Sequence, residues 1–366
     1  MEILRAVAWF LVVIAAGWGA VSILCPKRAP RFIHEKAALS YGFGVGIVTL
    51  GMAALSFAGI KCDASSIIML CLPFAAAAVV MLRRNGFHAF GNIGRLSGLE
   101  IFFILAIILE VLYAFFRALV MPIESYDAVA IYALQSKIFY LAGGIPRDYY
   151  TAFRDIVPHI EYPLLAPLAE ASFYNFIGML DDALVKLIFP AYYMALLAAF
   201  YSVSRRWLNR REGLLFTFLL ASIPQFKEYA TNAYVDLVLA FYYSLSLAYL
   251  VLWMKERKLG YLAISAGLSV LSLWAKNEGG LLIAVNVLVM VIYIFSEGRK
   301  EILKGAAYSF FLMASVAAYV CAKNVIGIEL HSNLAGEGLM EPGRVISNLG
   351  RIPAILYQFQ IQFFGP

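Results

Sequence analysis

Residues 124–168 carry the side chains of this sequence best suited to chemistry. Asp127 follows an apolar run ending at Val120 and Met121, and it opens a stretch with helical spacing. Arg147, Asp148, Arg154, Asp155, His159 and Glu161 come next, interleaved with Tyr149, Tyr150 and Phe153 and followed by Tyr162. Arginine forks match phosphate oxygens and aromatic faces suit sugar rings, so a loop of this make-up is able to hold a phosphorylated sugar. The plainer alternatives are a solvated loop with surface ion pairs and, for Asp127, an acid that only complements the N-terminus of its helix.

Two further charged sites stand where charge is expensive. Asp236, in Tyr-Ala-Thr-Asn-Ala-Tyr-Val-Asp, heads a long apolar run. Lys276-Asn277-Glu278-Gly279-Gly280 puts opposite charges between two apolar segments with almost no loop between them. Charges so placed must pair or line a watery cavity, which marks a functional site by default. The structural alternative is an ion pair of Lys276 with Glu278 or Asp236 that fixes the turn. Glu110 and Arg117, two helical turns apart on residues 99–120, are expected to face the interior of the bundle.

The elements that must position these residues are set by composition. The 366-residue chain is 63% hydrophobic and 14% charged, with a mean hydropathy of +0.80. Soluble domains run about 45–50% apolar and about 25% charged, so this is a polytopic membrane protein. Its apolar runs are continuous rather than alternating, which selects helices over a barrel. Arg5 precedes an apolar stretch too long for a signal-peptide core and without a small-residue cleavage site, so that stretch reads as a retained helix. Cys25, Cys62, Cys71 and Cys321 lie in or beside apolar segments with no metal-like spacing and read as small buried hydrophobes.

The net charge of +6 does not imply nucleic acid, because the basic residues cluster at the ends of apolar runs, as the positive-inside rule expects. Lys27, Arg28, Arg31 and Lys36 follow a span over 7–24. Spans over 37–60 and 65–82 meet at Lys61-Cys62-Asp63, and Arg83, Arg84 and Arg95 close the second. A span over 99–120 then delivers 124–168 to the outer face. Downstream, 183–203 ends in Arg205, Arg206, Arg210 and Arg211. A short segment, 214–223, is broken by Pro224. Residues 237–254 end in Lys255, Arg257 and Lys258; 261–275 and 279–295 lead to Arg299, Lys300 and Lys304; and 305–325 leads to an outer loop, 327–344, with Glu329, His331, Glu337 and Glu341. Every basic cluster falls on one side and both acidic, aromatic loops on the other. Residues 164–177 fit this scheme only if they cross together with the segment from Ala183, lie outside, or re-enter. Ile131, Leu134, Ile138 and Leu141 predict an amphipathic helix lying in the interface. The chain stops at Phe363-Phe364-Gly365-Pro366 without a basic stop, so a further C-terminal part is expected.

Taken in order, Ser-Tyr-Asp127 after a membrane exit, Gly-Gly-Ile-Pro, Glu161-Tyr162-Pro163-Leu164, Ala233-Tyr234-Val235-Asp236 and Lys276-Asn277-Glu278-Gly279 resemble the GT-C superfamily of polyprenyl-phosphate-sugar-dependent glycosyltransferases, in its protein mannosyltransferase and aminoarabinose transferase branch. The likeness covers roughly 99–295. It implies an all-α, GT-C-like transmembrane bundle with an external first loop carrying an interfacial helix. Residues 1–98 would be additional N-terminal helices and 99–366 the catalytic module. It also implies a catalytic Asp at position 127 and a donor-phosphate site at the Lys276 turn. Acids in tandem and a Lys-Pro-Pro element are usual in the family; Tyr126 and Ala128 flank Asp127 here, and Glu161-Tyr162-Pro163-Leu164 replaces that element, so sugar and acceptor are not assigned.

On that resemblance the expected activity is inverting transfer of a sugar from a polyprenyl-phosphate donor to a hydroxyl or amine of a glycan, lipid or protein on the external face of a plasma or inner membrane. Asp127 is the general base. Lys276, with Arg147 and Arg154, faces the leaving phosphate; Glu278 and Tyr162 complete the donor site, and Asp236, His159 and Glu161 support it. No cofactor is expected; some relatives use a divalent ion, but the spacing of His159, Glu161, Asp127 and Asp236 is not diagnostic of one. The rival reading is a secondary transporter or flippase with Glu110, Arg117, Asp236 and Lys276 along its path, against which no internal repeat is found.

Overall fold

In a computed structural model the described residues are 1–25, 32–85, 95–297, 301–326, 349–351, 353–354 and 356–357. Lys27, Arg28, Arg31, Arg299, Lys300 and the whole 327–344 loop lie outside them. All regular structure among the described residues is helical: α1 (Glu2–Leu24), α2 (Ile33–Phe57), α3 (Ala64–Asn85), α4 (Gly98–Val120), a π-helix (Asp127–Ala133) running into α5 (Leu134–Ala142), α6 (Tyr149–Ala152), α7 (Leu165–Ile177), α8 (Asp182–Val185), α9 (Ile188–Ser204), α10 (Arg210–Ala221), α11 (Pro224–Thr231), α12 (Val235–Glu256), α13 (Leu259–Ala275), α14 (Gly279–Glu297) and α15 (Ile302–Ile326), with a 3-10 turn at Leu349–Arg351. Among the described residues, eight helical stretches are long and apolar enough to cross a membrane, α8 and α9 counting together as Asp182–Ser204, and α13 is a shorter apolar helix. Met1–Ala318 form one compact unit and Tyr319–Pro366 a second; in the second, Lys323 lies over the Tyr319 ring.

Local sequence explains where these helices begin and end. Ser97 caps α4 reciprocally with Glu100, and Asn209 caps α10 with Glu212, each pair satisfying two orphan amides. Pro224 ends the α10 segment and takes the first turn of α11, where its missing N–H costs nothing. Between spans, small residues let backbones touch. A Cβ on Gly17 would overlap the Ser40 carbonyl, and one on Gly44 the Val13 carbonyl, so α1 and α2 pack backbone to backbone. Trp9 Nε1 donates to Ser172 Oγ at 2.8 Å, tying α1 to α7, and the Tyr41 hydroxyl donates to the Ile188 carbonyl at 2.8 Å, tying α2 to α9.

The contacts sort the helix ends into two groups. At one end Arg206 Nη2 donates to both Glu35 oxygens at 2.9 Å, Tyr249 donates to the same carboxylate at 2.6 Å, and Arg210 pairs with Glu100 at 2.6 Å. Lys255, Arg257 and Lys258 border this end, at the C-terminus of α12. At the other end lie the α2–α3 turn, the π-helix with α5, and the starts of α9 and α12. Among the described residues, Arg206, Arg210, Lys255, Arg257 and Lys258 therefore lie at one end of the bundle, and Asp236 and Lys276 at the other.

Two sequence expectations are refined. Of residues 164–177, Leu165–Ile177 form α7, only 13 residues and almost wholly buried, while Asp182–Ser204 is long enough to cross by itself. Second, the stripe predicted after the membrane exit is divided: Ile131 is buried together with Tyr132, Gln135, Ser136 and Phe139, whereas Val129 and Leu141 are exposed and Leu134 and Ile138 only half-buried.

Candidate functional site

The Lys276 turn is built by the end of one helix and the start of the next. α13 stops at Ala275; Lys276 takes an extended conformation, and α14 restarts at Gly279, whose amide donates to the Lys276 carbonyl at 2.9 Å. Gly279 sits against the last turn of α13 so closely that a Cβ would overlap the Ser272 backbone. From this turn Lys276 Nζ donates to Asp236 Oδ1 at 2.9 Å and lies 3.6 Å from Glu278 Oε1. Side-chain exposure rises from 15% at Lys276 to 37% at Asp236 and 54% at Glu278, so the ion triad opens outward. Burial pulls the Lys276 pKa down, but the hydrogen bond to Asp236 and the charges of Asp236 and Glu278 outweigh it and hold the pKa above the ordinary lysine value.

Asp127 is linked to the same region through its charge, which acts on Tyr132 and Tyr162. It begins the π-helix, a wide turn with i→i+5 bonds that is rare and frequently found at functional sites. Five residues on, Tyr132 places its ring 6.5 Å from that of Tyr162. Burial raises the Tyr132 pKa, and Tyr162, Asp236, Glu278 and Asp127 each raise it further. For Tyr162, burial and Glu278 raise the pKa, Lys276 lowers it, and Glu161 and Asp127 raise it again. Asp127, Asp236, Lys276 and Glu278 thus share one electrostatic neighbourhood around two phenols.

Two non-glycine residues beside this neighbourhood hold left-handed backbone. His159, at φ 52°, stacks on Tyr162 with centroids 4.8 Å apart and has Nδ1 3.4 Å from Glu161 Oε1. Ala233, at φ 59°, precedes Asp236 by three residues. Such conformations cost of order 1–3 kcal/mol and gather at functional sites.

The remaining sequence-based candidates go elsewhere. Arg147 lies with its guanidinium against Gly59 in the α2–α3 turn, and Arg154 is in the turns after α6. Glu110 pairs with Lys227 of α11 at 3.0 Å, and Arg117 neighbours Lys186. Among the described residues, no group of three or more His, Cys, Asp and Glu is arranged to hold a metal ion.

Sequence reasoning passed over Glu170, although a lone acid in the apolar 164–177 stretch was an available signal. It is fully buried in α7, its Oε2 has no hydrogen-bond partner, and the Ser136 hydroxyl of α5 is within reach. Burial pushes its pKa up to about 8, with Asp182 adding to the rise while Ser136 and Lys137 oppose it. The folded protein then holds a proton that the unfolded chain releases above about pH 4.5, so stability falls as pH rises from about 4.5 to about 8 and levels off beyond. Glu170→Gln is expected to remove that slope, a difference of roughly 2 kcal/mol between pH 6 and pH 8. Thermal unfolding at the two pH values checks this, and an unchanged slope in the variant counts against it.

Compared with known protein families, curated proteins and solved structures, the chain matches none of them.

Proposed function

We propose that this protein transfers a sugar from a polyprenyl-phosphate donor to an acceptor hydroxyl or amine on the outer face of a membrane. The observation that carries the reading is that Asp127, Asp236, Lys276 and Glu278 act on one pair of phenols, Tyr132 and Tyr162, at the end of α12 away from Lys255 and Arg257. On the external side of a membrane neither nucleotide sugars nor ATP are at hand, so the activated sugar must arrive already attached to lipid. Asp127 takes the proton of the acceptor hydroxyl as its oxygen bonds to the anomeric carbon. The bond from that carbon to the phosphate oxygen breaks with inversion, and the electron pair leaves with the polyprenyl phosphate. Lys276 faces the charge developing on that phosphate, and Tyr162 offers its ring to the sugar, with the buried Tyr132 beside it. The four residues of a transport path would be divided, Glu110 towards Lys227, Arg117 towards Lys186, and Asp236 with Lys276.

The test is release of polyprenyl phosphate from polyprenyl-phosphate mannose or aminoarabinose by the full chain in liposomes. Release that depends on Asp127 supports the proposal; movement of the intact lipid-linked sugar across the bilayer without release overturns it. Lys276→Met is expected to lower release by about 10²–10³-fold per folded molecule. If Lys276 only fixes the turn, the variant instead loses thermal stability and its folded fraction keeps the wild-type rate.

A further inference from the structure

The last turn of α4 and the outward face of the π-helix and α5 enclose a cleft of about 450 Å³, within the range of about 300–1,000 Å³ typical of ligand sites. Met121, Pro122 and Ile123 form one wall, and Val129, Ala133 and Lys137, spaced four residues apart, form the other. Asp182 closes the cleft, with its Oδ2 2.8 Å from Lys137 Nζ. This is a different face of the helix from Tyr132, which turns towards Tyr162.

Depth in the membrane narrows the class of ligand. α4 is a candidate span that ends at Val120, and Asp182 opens the next one, so both stand at a hydrocarbon boundary, the level of lipid headgroups. Val120 and Val129 beside the cleft are 62% and 47% exposed, apolar surface suited to acyl chains. The charges narrow it further. Lys137 and Asp182 are 33% and 48% exposed, and an ion pair so open to solvent contributes only about 0–1 kcal/mol, so its opening costs little. Behind it, Tyr174 donates to Asp182 Oδ1 at 3.0 Å, and the buried Lys186 donates to the Met121 carbonyl, fixing the wall.

We propose that this cleft is a phospholipid site selective for a zwitterionic headgroup with a primary amine, such as phosphatidylethanolamine, whose phosphate pairs with Lys137 and whose ammonium pairs with Asp182. Exchanging one ion pair for two leaves no charge unpaired. A phosphatidylcholine head has no N–H to give Asp182, and a phosphatidylglycerol head leaves Asp182 without a counter-ion. The site does not depend on sugar transfer, because it uses none of the residues assigned to that reaction.

The delipidated full chain in detergent is to be incubated with an equimolar mixture of phosphatidylethanolamine, phosphatidylcholine and phosphatidylglycerol, and the retained lipids read by native mass spectrometry. Phosphatidylethanolamine is expected to exceed each of the others about fivefold or more. Lys137→Gln and Asp182→Asn are each expected to abolish the preference. Ala133→Phe, which fills the cleft and leaves the ion pair, is expected to reduce all retention and serves if the charge variants do not fold. Equal retention of the three lipids by the wild-type protein overturns the proposal. So does a phosphatidylglycerol preference that strengthens in Asp182→Asn, which would mark a site for phosphate alone.

Discussion

Asp127→Asn is expected to lower the rate of sugar transfer by about 10²–10⁴-fold in protein that still folds normally. Asparagine keeps the size and hydrogen-bonding capacity of the side chain and removes its ability to take a proton. The competing role, a carboxylate complementing the N-terminus of its helix, is worth about 0.3–1 kcal/mol of stability and nothing in rate. Asp127 begins the π-helix with no side-chain cap from Tyr126, so stability and catalysis are separable at this position. Single-turnover release of polyprenyl phosphate, measured beside a thermal unfolding curve, distinguishes the two roles. A folded Asp127→Asn protein with full transfer activity would falsify the assignment of the base.

Gly279→Ala is expected to be as damaging through a different route. The added methyl has no room between α14 and the Ser272 backbone, and the helices must separate to admit it, at about 1–3 kcal/mol or more. Because Lys276 is held by the same turn, its 2.9 Å bond to Asp236 would be lost with the separation. Transfer should then fall by about 10²-fold or more, the scale of losing a phosphate-facing cation, together with a lower unfolding temperature. Gly280→Ala is the control. Its methyl would meet only the flexible Leu273 side chain at 3.6 Å, so its effect should stay within about 1 kcal/mol. Equal behaviour of the two variants would show that close packing at Gly279 does not hold the turn.

Most of the helices could be read from the chain because a bilayer demands long, continuous apolar runs, and α1 to α4 and α12 lie within a few residues of their expected limits. The Lys276 turn was legible for a related reason: opposite charges between apolar segments are too costly to be incidental, and the structure pairs them. α7 was not legible, since an apolar helix buried in protein and one facing lipid are written alike. The helical spacing after the membrane exit was legible, but not which members of the stripe the protein covers: Ile131 is buried, Leu134 and Ile138 are half-buried and Leu141 is exposed. Arg147 illustrates the limit of loop reading. Its residue type suggests phosphate, but the chain path after Gly143 and Gly144 takes it to the α2–α3 turn.

The π-helix carries one more implication, for how this segment tolerates change. Each of its wide turns holds about one residue more than an α turn, so the chain here behaves as a helix with an inserted residue. Deleting a single residue between Asp127 and Ala133 would let the stretch close to ordinary α-helix with the helix beyond it turned only slightly, so Lys137 would still face Asp182, and Gln135 and Ser136 would stay in the interior. In a plain α-helix the same deletion would turn everything beyond it by about 100°. In an evolving lineage this stretch is therefore where the count of residues is free to change by one.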